Sequence, residues 1–327
     1  MNLPDLARHL ATARGLGHKR DIDAVVAGLG LGAAPVAVGD DCAAIPDGDG
    51  YLLFAIEGFM ADFVAALPWF AGYCGVMVNV SDIAAMGGRP IAVVDALWSR
   101  AAASAGPILN GLAAGSAAYG VPIVGGHSNT RNPGGEQLSV AVLGRARTLL
   151  TSFDAEPGDV LLAAIDLRGG FRDPHPFWDA SSGSPPARLR ADIEILPQLA
   201  ESGLAHAAKD ISMAGTVGTA LMLLECSGIG ATLDVTKVPR PEGMALDRWF
   251  TAFPSYGFIL AAKPDKADAT IAAFAARGIA CAAIGTADAS RRLTLADGRQ
   301  SVTFWDFADQ PLIGCGPSTG PGGRTHA

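Results

Sequence analysis

The chain has 327 residues, half of them hydrophobic, and 24 basic against 32 acidic side chains give a formal charge of −8. That length can bury the cores of two ordinary domains. The acidic balance without a Lys/Arg cluster argues against nucleic acid as a partner, and no apolar run approaches the roughly 20 residues of a membrane helix, so no membrane partner is expected.

In chain order, apolar strand-like runs alternate with small-residue helical stretches, the pattern of α/β or α+β folds. Strands are predicted at 35–38 (PVAV), 51–57, 91–98, 121–126 and 137–146, and helices at 70–87 and 108–120. The Pro157-Gly158-Asp159 turn then starts a new strand, which places a domain boundary near residue 150. An irregular loop spans 167–188. Helices follow at 189–203, 212–228 and 264–277, with strands at 230–235, 256–262 and 279–285 and a hairpin turn at Asp297-Gly298. The Gly/Pro/Ser/Thr-rich end reads as a disordered tail. The N-terminal stretch is charged throughout and lacks an apolar signal core, so a cytoplasmic location is expected. The five cysteines are widely spaced with no Cys-x-x-Cys pair, which argues against a disulfide framework and a zinc knuckle.

Carboxylates crowd the segment Gly39-Asp40-Asp41-Cys42-Ala-Ala-Ile-Pro-Asp47-Gly-Asp49-Gly50. As a calcium loop it fails on register, because Ile45 and Ile56 would hold the first and twelfth positions. Asp47 to Gly50 is therefore a turn. Asp40 and Asp41 end an apolar run, where adjacent carboxylates repel unless solvated or bound to a cation. Glu57, Asp82 and Asp210 sit in equally apolar company, with Asn79 on the same helical face as Asp82. Singly, each has a structural explanation such as a helix cap or a bond to a backbone amide. Together, hard oxygens at several strand and helix ends suit Mg²⁺ on nucleotide phosphates.

There is no Walker-type Gly-Lys-Ser/Thr loop, and Gly28-x-Gly30-x-x-Ala33 lacks the strand before and the helix after that a dinucleotide site requires. Gly125-Gly126, followed by His127, offers backbone amides to an anion, and equally makes a plain turn.

The motifs GDDCA (39–43), NVSDIAAMGGRP (79–90), GGHSNT (125–130), LGRA (143–146) and KDISMAGTVGTALMLLECSGIGATLD (209–234) occur in the order seen in the aminoimidazole-ribonucleotide (AIR) synthetase-like superfamily. The chain resembles that superfamily over about residues 20–290. The resemblance implies a two-domain PurM-like α/β (α+β) fold. Residues 1–150 would form an N-terminal mixed sheet with helices on one face that makes a homodimer, 151–314 a C-terminal α/β domain, and 315–327 the disordered tail. It implies ATP and Mg²⁺ as cofactors, with Asp40, Asp41, Glu57, Asp82 and Asp210 as metal-binding acids, of which Asp41, Asp82 and Asp210 serve catalysis. Asn79, Gly125, Gly126, His127, Arg145 and Lys209 would surround the nucleotide phosphates.

Within the superfamily, KDIS (209–212) and Glu57-Gly58 look most like the poorly characterised AIR synthase-like proteins, while GDDCA and NVSDIAAMG resemble thiamine-monophosphate kinase. The chain departs from that kinase at Met213, where a second acid is usual, and at His127, where an Asp is usual. It lacks the C-terminal cysteine of the carbamoyl dehydratase and the N-terminal Cys or Sec of the selenium enzyme. The implied activity is ATP-dependent phosphorylation, or activation by phosphorylation, of a small polar metabolite; a non-catalytic ATP-binding module serving a partner enzyme is the alternative. Arg168, Arg172, His175 and Trp178 form a polar-aromatic set in the irregular loop, which is either a substrate lid or disordered.

Overall fold

The computed structural model describes residues 1–34 and 36–316. Helix α1 (Leu3–Ala11) is capped by the Asn2 side chain, which accepts the Asp5 N–H at 2.9 Å, and α2 (Arg14–Gly28) follows it. Then β1 (Ala43–Asp47) and β2 (Gly50–Phe59) form a hairpin closed by Gly48 and Asp49. Next come α3 (Ala61–Ala66), α4 (Pro68–Ala85), β3 (Arg89–Trp98), α5 (Ala102–Tyr119), β4 (Ile123–Asn129) and β5 (Gln137–Ala146). The chain continues through β6 (Val160–Ile165), a short pair β7 (Gly170–Phe171) and β8 (Trp178–Asp179), α6 (Pro186–Ile193), α7 (Ile195–Ser202) and β9 (Ala207–Asp210). It ends with α8 (Gly215–Ser227), β10 (Gly230–Asp234), α9 (Leu246–Phe250), β11 (Gly257–Ala262), α10 (Ala267–Ala275), β12 (Ala280–Asp288), β13 (Arg292–Ala296) and β14 (Ser301–Asp306).

Two mixed sheets result, one of order β1-β2-β5-β3-β4 and one of order β14-β13-β10-β12-β6-β11-β9. In the five-stranded sheet burial alternates along β5: Leu138, Val140 and Val142 are buried against α4, whereas Leu143 points the other way. In the seven-stranded sheet every residue of β11 is buried, as a central strand covered on both faces requires.

The strand expected at 35–38 does not form: residues 36–38 are irregular, and Pro35 lies outside the described residues. The partner of β2 is Ala43–Asp47, joined to it by a two-residue turn, and sequence proximity outweighs the greater apolarity of the earlier run.

The chain divides into two compact units, with one break at 149/150 and two segments exchanged across it. Asp41–Leu149 is joined by Ala180–Glu201, and Met1–Asp40 groups with Leu150–Asp179 and the described residues from Ser202 on. The first exchange has a polar cause. Arg89 binds Glu194 through Nε and Glu201 through Nη1, Arg190 donates to the carbonyls of Ala117 and Ala118, and the Tyr73 and Tyr119 hydroxyls both meet Ser181 Oγ at 2.7 Å. The second has an apolar and a cationic one: α1 buries Leu3, Leu6 and Leu10 and packs against α9 and β14, and Arg20 lies over the Trp305 ring.

The disordered tail is expected from residue 315 on. Cys315 is buried, and residues 317–327 lie outside the described residues.

Candidate functional site

The unit built on the five-stranded sheet carries most of the predicted site. Glu57 on β2 and Asp95 on β3 both pair with Val140 on β5, one from each side. Directly paired antiparallel residues share a face, so both carboxylates lie on the side that Val140 presents to α4. From α4, Asn79 donates its amide to the carbonyls of Gly75 (2.8 Å) and Val140 (3.1 Å), which fixes the amide orientation. Its Oδ1 then accepts nothing, although Asn79 is 0% exposed. Asp95 Oδ2 is likewise buried with no hydrogen-bond partner, and burial pushes the Asp95 carboxyl up from its ordinary value. Three oxygen-bearing side chains thus converge on one residue of β5, and two of them hold acceptors without donors. Asp82 is also buried, three residues beyond Asn79 on α4, and Asp41 stands half-buried two residues before β1.

Asp95 is the residue that sequence reasoning missed, although it carries the signal that singled out Glu57: a carboxylate inside an apolar strand, here Ile-Ala-Val-Val-Asp-Ala-Leu. Its neighbour on β4 is Gly126, where a Cβ would lie 2.5 Å from the Asp95 carbonyl oxygen and 2.7 Å from its Oδ1. Only glycine fits beside this carboxylate. Gly125 and Gly126 therefore belong to a strand at the sheet edge rather than to a turn, and they remain exposed together with His127, whose ring lies 5.9 Å from that of Trp98.

The unit built on the seven-stranded sheet holds the remaining predicted acids, and there they are engaged by donors. Asp40 accepts the Ser152 N–H at 3.0 Å and the Ser152 hydroxyl at 2.7 Å. Asp210, at the end of β9, is buried and accepts the Ser255 hydroxyl at 2.7 Å. Lys209 is 4% exposed and donates to the Gly39 carbonyl at 3.2 Å and the Ser152 hydroxyl at 3.4 Å.

Arg145, expected among the phosphate ligands, also lies on β5. It alternates away from the Val140 face and binds Asp47, with Asp49 Oδ1 at 3.1 Å, so it closes the β1–β2 hairpin. The irregular loop is a packed structure. Arg168 binds Asp166 and the Arg277 carbonyl, and Arg172 binds Asp179. Trp178 is buried with its indole N–H on the Asp166 carbonyl and its ring 4.9 Å from that of Trp249. His175 stacks on Phe177. Aromatic packing accounts for the order that the loop's composition does not suggest.

Among the described residues no three His, Cys, Asp or Glu side chains come close enough to cage an ion. Mg²⁺ does not need such a cage, since it keeps waters and takes one or two carboxylates with phosphate oxygens. The orphaned acceptors at Asn79 and Asp95, all hard oxygen, suit a hydrated cation or a ligand hydroxyl.

Residues 39–146 match the family described as AIR synthase related protein, N-terminal domain, and 169–298 match AIR synthase related protein, C-terminal domain. An uncharacterised protein of Synechocystis sp. is 47% identical over 95% of this chain and 98% of its own length. A thiamine-monophosphate kinase of Pyrococcus horikoshii is 30% identical over 63% of this chain and 69% of its own. Among solved structures, Thermotoga maritima PurL complexed with ADP is similar with a TM-score of 0.69 at 20% identity, over 84% of this chain but 46% of that one.

Proposed function

The chain belongs to the AIR synthase related family, and from that premise we propose that it is an ATP-dependent enzyme that phosphorylates, or activates by phosphorylation, a small polar metabolite. The observation that carries this reading is the pair of buried acceptors without donors, Asn79 Oδ1 and Asp95 Oδ2, beside Glu57 at the Val140 position. A fold retains such atoms at a cost unless a ligand satisfies them. The names of the relatives point the same way: one is a kinase, and another was solved with ADP.

In this reading Asp41, Glu57 and Asp82 would hold hydrated Mg²⁺ through one or two carboxylates at a time, with phosphate oxygens completing its shell, and Asp40 and Asp210 are the metal-binding acids proposed for their own unit. Bound there, the ion would neutralise charge on the transferring phosphoryl group. The exposed backbone at Gly125 and Gly126 gives phosphate oxygens close access to amides, and His127 adds a donor beside them. Asn79 and Asp95 orient water or a ligand hydroxyl by accepting its hydrogen bonds. The protein's contribution is then positioning and fixed dipoles rather than covalent chemistry.

Replacing Asp82→Asn is expected to abolish Mg²⁺-dependent ATP turnover while circular dichroism stays that of the native fold. Unaltered turnover rejects the assignment. Tight ATP binding with no ADP released in the presence of any candidate metabolite supports the non-catalytic alternative instead.

A second copy of the chain is the proposed partner. The face of the five-stranded sheet turned away from α4 exposes Phe54 (51%), Ile56 (65%) and Val124 (65%), joined by Val94 and Leu143. A contiguous apolar patch of this kind marks an interaction surface. Ile56→Arg is expected to shift the protein from dimer to monomer in sedimentation velocity, whereas a wild-type monomer at micromolar concentration removes this part of the proposal.

A further inference from the structure

The end of the described chain is tied down by one side chain. Glu225 stands in the last turn of α8, where a negative charge faces the negative end of the helix dipole. It is nevertheless buried, and its carboxylate accepts the backbone N–H groups of Leu312 (2.8 Å), Ile313 (2.8 Å) and Gly314 (3.2 Å). Three successive amides on one carboxylate form a fastened strap, further held by the burial of Leu312 and Ile313.

The strap delivers Cys315 onto Gly39. Gly39 has φ +127, and a Cβ there would lie 2.5 Å from Cys315 Cβ and 2.9 Å from Cys226 Sγ. Burial pushes the Cys226 thiol well up, so it stays protonated and donates to the Gly39 carbonyl at 3.5 Å, beside Lys209 on the same oxygen. The next residue is Asp40, aimed at Ser152. The strap, the two thiols and the lysine together fix the backbone from which Asp40 projects. A cavity of about 30 Å³ under the strap, lined by Leu31, Ala37, Val38, Phe153, Cys226 and Cys315, has room for one water and no larger ligand, so this region does not read as a binding site of its own.

We infer that the Leu312–Cys315 strap, with Glu225 as its anchor and Cys315 as its contact, is a positioning element that sets the Gly39–Asp40 corner. Its consequence for magnesium rests on the reading of Asp40 as a metal-binding acid; its consequence for the corner itself does not. Glu225 and Cys315 act through Asp40 and touch no reacting atom.

Two variants test this in the full chain, Glu225→Gln, which removes the charge that receives the three amides, and Cys315→Gly, which removes the Cβ seated on Gly39. Cys315→Ser keeps that Cβ and is the conservative variant. Hydrogen–deuterium exchange is followed in the ligand-free protein at 36–41, at 310–316 and, as a control for global unfolding, at β6. Glu225→Gln is expected to speed exchange about tenfold or more at both 310–316 and 36–41, and Cys315→Gly at 36–41, with β6 unchanged and Cys315→Ser within about twofold of wild type. Faster exchange at 310–316 with none at 36–41 overturns the inference, as does wild-type behaviour of both variants. In the second arm, well below the melting temperature, the Mg²⁺ concentration for half-maximal ATP binding rises about tenfold in Glu225→Gln and Cys315→Gly and recovers in Cys315→Ser. Should the wild type bind no Mg-ATP, the reading of Asp40 falls, while the exchange arm still decides whether the strap sets the corner.

Discussion

Asp95, in the unit of the five-stranded sheet, and the acids enclosed in the other unit differ in what surrounds them. In the unit of the seven-stranded sheet, Asp40, Asp159, Asp210 and Glu225 each receive N–H or O–H donors from the protein itself. In the unit of the five-stranded sheet, Asp95 Oδ2 and Asn79 Oδ1 are buried without a donor. A satisfied carboxylate holds its neighbours together, whereas an unsatisfied acceptor costs the fold roughly 1–3 kcal/mol until something binds it. A carboxylate in apolar company can therefore mean architecture or a ligand, and its partners separate the two.

Asp95→Asn tests the sharper side of this contrast and carries the largest expected effect. Mg-ATP affinity, measured by calorimetry, is expected to fall about 100-fold, or roughly 2.7 kcal/mol. The same variant is expected to be more stable than wild type by about 1 kcal/mol without ligand, because an amide carries no charge to desolvate. The stability gain is present above the raised pKa, where the wild-type carboxyl is ionised, and fades as pH falls through it and the wild-type group becomes neutral as well. Unchanged affinity, or a loss of apo stability, would place Asp95 among the structural acids.

Asp159 is the opposite case, and its removal is the next largest effect. It is fully buried, and burial alone would raise its pKa. Hydrogen bonds from Lys263 Nζ (2.9 Å), the Glu156 N–H (2.7 Å) and His206 Nε2 (2.7 Å) outweigh burial and hold it below its ordinary value of 3.8. A depressed carboxyl stabilises the fold above the unfolded pKa, and that contribution is lost as pH falls below about 4. Asp159→Asn is expected to lower stability by about 2 kcal/mol at pH 7 in urea unfolding, with the gap to wild type narrowing below pH 4. A gap that is constant with pH would mean that packing rather than charge makes Asp159 structural.

Much of this was legible in the sequence. The helix holding Asn79 and Asp82, the strand holding Glu57 and the hairpin turn at Asp47–Gly50 follow from local periodicity and turn chemistry, and they fold as read. What was not legible depends on partners far along the chain. Arg145 sits in a family motif, yet the alternation of β5 turns it to the opposite face, where Asp47 and Asp49 take it. Lys209 reads as a phosphate ligand, and its bond to Gly39, 170 positions earlier, could not be read from the sequence. The loop at 167–188 has the composition of a lid, and only the arrival of Trp249 and Phe253 shows that its aromatics are packed. Asp95 could have been found, because its isolation in an apolar strand is local information.

The smallest effect belongs to a partnered cluster that remains wet. Arg89 meets Glu194 and Glu201, but all three side chains are about one-third or more exposed, so the ion pairs are screened and together contribute about 1 kcal/mol. The pairs matter by location, since they fasten Ala180–Glu201 to the unit of the five-stranded sheet across more than a hundred residues of sequence. Arg89→Ala is expected to leave the global melting temperature within a few degrees of wild type and to speed trypsin cleavage within 180–201 several-fold. High salt given to the wild type should reproduce part of that sensitivity, because screening weakens the same contacts. If cleavage stays at the wild-type rate in both, the hydroxyl contacts of Tyr73 and Tyr119 to Ser181 and the Arg190 bonds to α5 suffice to dock the segment, and the division into units rests on them instead.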